Sequence, residues 1–159
     1  MSTHTYPNRD ILIVVENVSF KVHKIILSLA SAVFKDMIDH ACEEEIPILV
    51  IEHENAQDFN DLLSFIYPHI YAPNTWNNVE RLLGISDKFV IESLIIACKK
   101  FLEDNYRSPM LTFLLADTYN FKSLYKESSK LILSNYQDFI HEPLFKRFSE
   151  KARSSLNER

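Results

Sequence analysis

Residues 10–29 read Asp10-Ile11-Leu12-Ile13-Val14-Val15-Glu16-Asn17-Val18-Ser19-Phe20-Lys21-Val22-His23-Lys24-Ile25-Ile26-Leu27-Ser28-Leu29, and the spacing of apolar residues changes inside that stretch. Ile11 to Val15 is an unbroken apolar run rich in β-branched side chains, Glu16-Asn17 has turn character, and Ser19-Phe20-Lys21-Val22 alternates polar with apolar. That is the pattern of a β-hairpin. From Ile25 the interval lengthens: Ile25, Ile26, Leu29, Val33, Phe34, Met37 and Ile38 recur every three or four positions, as on one face of an amphipathic helix. Ser28 and Ser31 allow a break into two short helices. Ile46 to Ile51 reads as a third strand, with Pro47 confined to its start or to a sheet edge. Ile11 to Val15 is apolar on both sides of a strand, and Ile25-Ile26-Leu27 is too wide for one helical stripe. Such an excess needs covering, by a partner chain or by the molecule's own helices.

Downstream the chain turns helical. Asn55 can cap a helix through Phe59, Leu62, Leu63, Ile66 and Ile70, and Pro68 and Pro73 mark an irregular connection. Asn74 or Thr75 can cap the next, through Val79, Leu82, Leu83 and Phe89. Ile91, Leu94, Ile95, Cys98, Phe101 and Leu102 then keep helical spacing without error, which puts Cys98 on a buried stripe as a packing residue. Sliding the chain by thirty residues lays Asp87-Lys88-Phe89-Val90-Ile91-Glu92-Ser93-Leu94 over Asp117-Thr118-Tyr119-Asn120-Phe121-Lys122-Ser123-Leu124. Each copy reads as a helix, a turn beginning near an aromatic and a second helix, although two copies are too few for a solenoid. Arg107-Ser108-Pro109 is a boundary, because proline favours a helix start. Ser134 to Arg159 carries Tyr136, Phe139, Ile140, Leu144, Phe145 and Phe148 before turning polar, and its last residues are expected to fray.

Composition removes whole classes of function. Gly84 is the only glycine in 159 residues, where an average usage of about 7% leads one to expect roughly eleven. Phosphate-cradling and nucleophile-elbow motifs, which need several glycines, are therefore excluded. Inside the Val79 to Asp87 helix, Gly84 is expected to allow close helix packing at a cost of about 1 kcal/mol. A net charge of −5 with only Lys99-Lys100 as a basic cluster argues against nucleic acid. Met1 to Arg9 lacks a signal pattern, no run reaches the ~18 apolar residues of a membrane span, and Cys42 and Cys98 form no paired framework. These features lead us to expect a cytoplasmic or nuclear protein with no membrane partner, and the Asn17-Val18-Ser19 sequon then reads as a hairpin turn.

Chemistry fares no better. His40 and Cys42 beside Glu43-Glu44-Glu45 have metal-binding types but no second ligand pair at zinc-like spacing. Cys42 or Ser31 with His23 or His40 lacks a strained elbow and a glycine-built oxyanion hole. No catalytic residue, cofactor or metal is expected. The acidic Glu43 to Glu45 run reads as a solvated loop that can receive a basic partner, which leaves protein binding as the live class.

Five ordered motifs then carry a resemblance. Asp10 to Val15, Phe20-Lys21-Val22-His23-Lys24-Ile25-Ile26-Leu27, Val33-Phe34-Lys35-Asp36-Met37, Phe59 to Tyr67 and Asp87 to Cys98 together resemble a BTB/POZ domain, over roughly residues 8–106. Residues 107–159 resemble the helical extension, three-box or BACK-like, that follows the domain in MATH-BTB adaptors. The resemblance implies an α+β, mostly helical fold in which a short sheet is capped by helical hairpins. It implies a protein-interaction role without catalysis: homodimerisation, and recruitment of cullin-3 to a ubiquitin ligase that presents an unidentified protein substrate. The alternative is a homodimeric scaffold or transcriptional co-regulator that binds no cullin.

By resemblance, the dimer face is Ile11, Leu12, Ile13, Ile26, Leu27, Leu29 and Ala30, and Asp10 with Lys24 is a buried structural charged pair. The cullin contact falls on Ala41-Cys42-Glu43-Glu44, with Cys42 as the apolar knob and Glu44 as the acid, Glu43 and Glu45 its rivals, and Tyr67 and Tyr71 nearby. Family members usually place Met, Leu or Phe at the knob, and cysteine buries less apolar area, a deficit of ~1 kcal/mol. Leu111 to Leu133 supplies either a second ligase surface or a lid over the apolar end of the core.

Overall fold

The structure, a computed structural model, describes residues 3–5, 10–41, 46–67, 73–105 and 108–157. The chain forms two compact units, Met1–Cys98 and Lys99–Arg159. The first holds six Lys and Arg against fourteen Asp and Glu, the second eleven against eight, so the acidic surplus belongs wholly to the first.

In the first unit, β1 (Thr3–Thr5), β2 (Ile11–Val15), β3 (Val18–Val22) and β4 (Ile48–Ile51) make one sheet in the order β1-β3-β2-β4. β2 runs antiparallel to β3 and parallel to β4, and β1 adds in parallel outside β3. The polar start of the chain carried no strand pattern, and β1 was not foreseen. The hairpin register pairs Val15 with Val18 across the two-residue turn Glu16-Asn17. Glu16 adopts a left-handed φ of 52°, a position that favours glycine. Its carboxylate is held there by accepting the Ala56 N–H at 3.1 Å. Strand alternation sends Ile11, Ile13, Val15, Phe20, Val22, Leu49 and Ile51 into the core.

The helical repeat breaks where the serines allowed it. α1 (Lys24–Ala30) and α2 (Ala32–Ala41) meet at buried Ser31, whose hydroxyl accepts the Phe34 N–H at 3.0 Å and donates to the Phe89 carbonyl. α3 (Ala56–Ile66) is capped by Asn55, which accepts the N–H groups of Gln57 and Asp58. α4 (Val79–Lys88) starts later than Asn74 or Thr75, because Asn78 Oδ1 accepts the Thr75 N–H at 2.7 Å and closes a separate turn first. Rings of Phe20, Phe34, Phe59 and Phe89 interlock at centroid distances of 4.5 to 6.1 Å and tie sheet to helices. α5 (Glu92–Asp104) follows, with Leu94, Cys98 and Leu102 fully buried.

Gly84 corrects an expectation. It lies on the exposed side of α4, so it brings no helix close, and its φ is not positive. It carries the entropic cost of a helical glycine with no packing gain.

The thirty-residue repeat is a repeat of backbone geometry. α4 ends at Phe89 and α6 (Pro109–Thr118) at Tyr119. The next residues, Val90 and Asn120, take left-handed φ values of 51° and 55°. Then Ile91 N–H donates to the Ser86 carbonyl at 2.8 Å and Phe121 N–H to the Ala116 carbonyl at 2.9 Å. Both are Schellman-type closures, leading into α5 and α7 (Lys122–Ser134).

The second unit continues with α8 (Tyr136–Phe139), a 3₁₀ turn at Pro143–Arg147 and α9 (Glu150–Asn157). Pro109 opens α6 at its first turn, as its fixed φ favours. Met110, Phe113, Leu114, Ile132, Phe148, Ala152 and Leu156 form the core of this unit. As far as Asn157 the polar end is a packed helix: Ala152 and Leu156, four apart, seal the core, and the Ser155 hydroxyl lies 2.8 Å from that of Tyr125, while the last two residues, expected to fray, lie outside the described residues. The Thr112 hydroxyl, buried in α6, is the single buried side-chain polar atom without a hydrogen-bond partner among the described residues.

Candidate protein-interaction surface

α1 carries more apolar residues than its own unit can cover. Leu27 points inward and is fully buried, while Leu29 is 80% and Ile25 63% exposed. Ile26, Leu29 and Ala30 line a cavity of about 470 Å³ with Phe65 and Ile66 of α3 and with Ser93. Large aliphatic side chains left in water beside an open cavity mark a surface that gains by being covered. Phe65, Ile66 and Ile25 were not among the expected contact residues; the three-and-four spacing of α3 assigned Ile66 to the core.

The seven residues expected on the pairing face divide. Ile11, Ile13 and Leu27 are at most 1% exposed and pack in the unit's own core. For Ile11 and Ile13 the reason is alternation, since in a sheet with one face buried every second residue of β2 turns inward, and Leu27 lies on the inward side of α1. Leu12, Ile26 and Ala30 are partly exposed and Leu29 is exposed.

The expected buried ion pair is a different interaction. Asp10 is exposed, and its Oδ1 accepts the backbone N–H of Lys24 at 2.7 Å, at the first turn of α1. Asp10 thus supplies the helix cap that His23, at the cap position, does not. The contact is carboxylate to amide, with no ion pair to the Lys24 ammonium.

Tyr67 also departs from expectation. It is 4% exposed, and its hydroxyl accepts the His23 backbone N–H at 2.9 Å and lies 3.0 Å from His23 Nδ1, with the rings 5.8 Å apart. This joins the end of α3 to the strand-to-helix junction, where His23 was expected to pack. Cys42, Glu43, Glu44, Glu45 and Tyr71 lie outside the described residues. Cys98 is fully buried, and loss of solvent pushes its thiol up to about 12 from the ordinary 9.0, the property of a packing residue rather than a nucleophile.

No helix among the described residues is long and apolar enough to cross a membrane. A short sheet backed by helical hairpins, with its most exposed aliphatic, Leu29, on a short helix beside an open cavity, suits a module that contacts other proteins. The BTB/POZ domain family matches residues 4–106, and the chain belongs to that family. Similarity extends beyond those residues. Kelch repeat and BTB domain-containing protein 1 of cowpox virus (strain GRI-90 / Grishak) is 31% identical over 146 residues, covering 90% of this chain and 26% of the relative. The protein of the same name from ectromelia virus (strain Moscow) is 31% identical over 150 residues, again 90% and 26%. Human Kelch-like protein 6 is 27% identical over 139 residues, 86% and 22%. The chain thus spans about a quarter of the length of the curated relatives it matches.

Proposed function

We propose that this chain is a homodimerising BTB adaptor that recruits cullin-3 to a ubiquitin ligase complex in the cytoplasm or nucleus. One observation carries the dimer: Leu29, 80% exposed, stands over the cavity formed by Ile26, Ala30, Phe65 and Ile66 on the helix where the family resemblance sets self-association. Leu12, Ile26, Leu29 and Ala30 are the outward members of that face, and a two-fold contact would bury them against their own copies. Kinship with Kelch-BTB proteins supports the adaptor role, with Cys42, the acids Glu43 and Glu44, and Tyr71 as the cullin-contact residues of this reading. The helical residues 107–159, BACK-like in this reading, give a second surface. The module itself performs no chemistry.

A second reading, a dimeric scaffold or co-regulator without cullin, is favoured by one feature. Tyr67 is buried with its hydroxyl turned to His23, which removes one aromatic from the expected cullin contact. Titration calorimetry of the full chain with the N-terminal domain of cullin-3 separates the two. Heat that saturates, and disappears with Cys42→Glu plus Glu44→Lys, supports the adaptor; no heat from the unmutated chain sinks it.

A further inference from the structure

β4 is an outer strand of the sheet, and among the described residues no strand pairs with its far edge. Pro47 accepts the Leu12 N–H at 3.0 Å, and Ile48 to Ile51 then pair in parallel with Leu12 to Val15. The alternation of a parallel ladder turns the N–H and C=O of Leu49 toward β2 and leaves those of Ile48 and Val50 on the far side. Among the described residues no hydrogen bond reaches them. The side chains at the same positions are exposed, Ile48 by 54% and Val50 by 63%, with Ile46 just ahead at 57%. Exposed edges are ordinarily blunted by lysine, by proline within the strand or by a bulge. Here Pro47 precedes the strand, and Ile46 to Ile51 holds no lysine.

The edge ends at an acidic cavity. Val50 and Ile51 share the lining of a cavity of about 420 Å³ with Glu16, Glu52, His53 and Glu54. Lys88 is the cation beside it, with Nζ 2.6 Å from Glu54 Oε1 and 3.3 Å from the Glu52 carbonyl. The Glu52 carboxylate stays in solvent, 3.9 Å from the exposed His53 ring. Among the described residues, three carboxylates beside one ammonium leave a negative surplus where the edge stops.

We propose that β4 accepts an added strand from a partner protein: an extended segment with apolar residues at alternate positions and an arginine or lysine at the end nearest Glu16, Glu52 and Glu54. The added strand exchanges N–H···O=C bonds with Ile48 and Val50, extends the Ile46, Ile48, Val50 row on the sheet face, and brings its cation to the surplus of acid. A second copy fits poorly. The unit holds fourteen acids against six bases, so a second copy would bring like charge to an edge that already ends at Glu16, Glu52 and Glu54. This surface uses no residue of the α1 face, so it stands apart from the adaptor reading.

The test is fluorescence anisotropy of the full chain with a fluorescein-labelled nonapeptide of alternating valine and threonine ending in two arginines. A saturable rise is expected, weakened at least about tenfold by Ile48→Lys or Val50→Lys, by N-methylation of alternate peptide amides, or by exchanging the arginines for glutamates. On binding, the amides of Ile48 and Val50 should slow their hydrogen exchange while that of Leu49, already paired, stays unchanged. The proposal is overturned by no rise, by equal binding of the N-methylated peptide, or by light scattering in which the lysine variants break up a self-associated form of the chain, which would make a second copy the occupant.

Discussion

The Tyr67 hydroxyl holds both the backbone N–H and the ring Nδ1 of His23, a residue 44 positions earlier in the chain. Strand-to-helix junction and α3 terminus are thus fastened by one oxygen atom inside the core.

Tyr67→Phe keeps the ring and removes that oxygen, taking the acceptor from a part-buried backbone N–H. The expected loss is about 1–2 kcal/mol in urea unfolding, with little change in far-UV circular dichroism. An unmoved midpoint would show that water replaces the hydroxyl there. The variant also bears on cullin recruitment: binding that survives Tyr67→Phe is not carried by its hydroxyl.

Leu27 and Leu29, two residues apart on α1, should behave as opposites. Leu27→Ala empties a fully buried site and should cost about 2–5 kcal/mol. Leu29→Glu changes a side chain that is 80% exposed and should move stability by less than about 0.5 kcal/mol. If α1 is the pairing face, light scattering will nevertheless report a monomer for Leu29→Glu at concentrations where the parent chain is dimeric.

Val90 is β-branched, half exposed and left-handed, a combination with steric cost and little packing in return. Asn120 occupies the matching turn with a residue that tolerates the geometry. Val90→Asn should therefore stabilise the protein by about 1 kcal/mol in denaturant titration. Gly84→Ala, on the open side of α4, should add a similar about 1 kcal/mol. A destabilised Val90→Asn would mean that its methyl groups pack more than their exposure indicates.

The Cys98 thiol holds its proton more tightly folded, to about 12, than in the unfolded chain near 9.0. Its contribution is whole below pH 9 and declines as pH rises toward 12, by at most about 1.4 kcal/mol per pH unit. In a Cys42→Ser background, native protein at pH 8 should resist iodoacetamide until urea unfolds it. The fall in stability above pH 9 should be shallower in Cys98→Ala. Rapid labelling of the native form would contradict the burial.

Much of the fold was legible because periodicity survives folding. The change from alternate to three-and-four spacing across residues 11–38 marks the hairpin and the two helices that follow, and Asn55, Ser31 and Pro109 act as the punctuation their chemistry suggests. What stayed hidden depended on partners distant in sequence. Asp10 capping α1 through the Lys24 amide, Glu16 reaching Ala56 and Tyr67 turned inward to His23 are contacts across 14, 40 and 44 residues that no local pattern encodes. The excess of aliphatics in β2 and α1 was legible in the sequence. Which of them point outward required the sheet, since Ile11 and Leu12 differ only in the side of β2 they occupy.

The concentration of acid in the first unit makes ionic strength a probe of what binds there. Counterions confine the reach of charge to about 10 Å at 0.1 M and about 3 Å at 1 M. Pairing of two such units brings like fields together, so added salt should lengthen the lifetime of the pair. Capture of a basic-ended strand at β4 draws on the same field as attraction, so salt should shorten it. Two contacts on one small unit would then respond to sodium chloride with slopes of opposite sign, a distinction available before either partner has been identified.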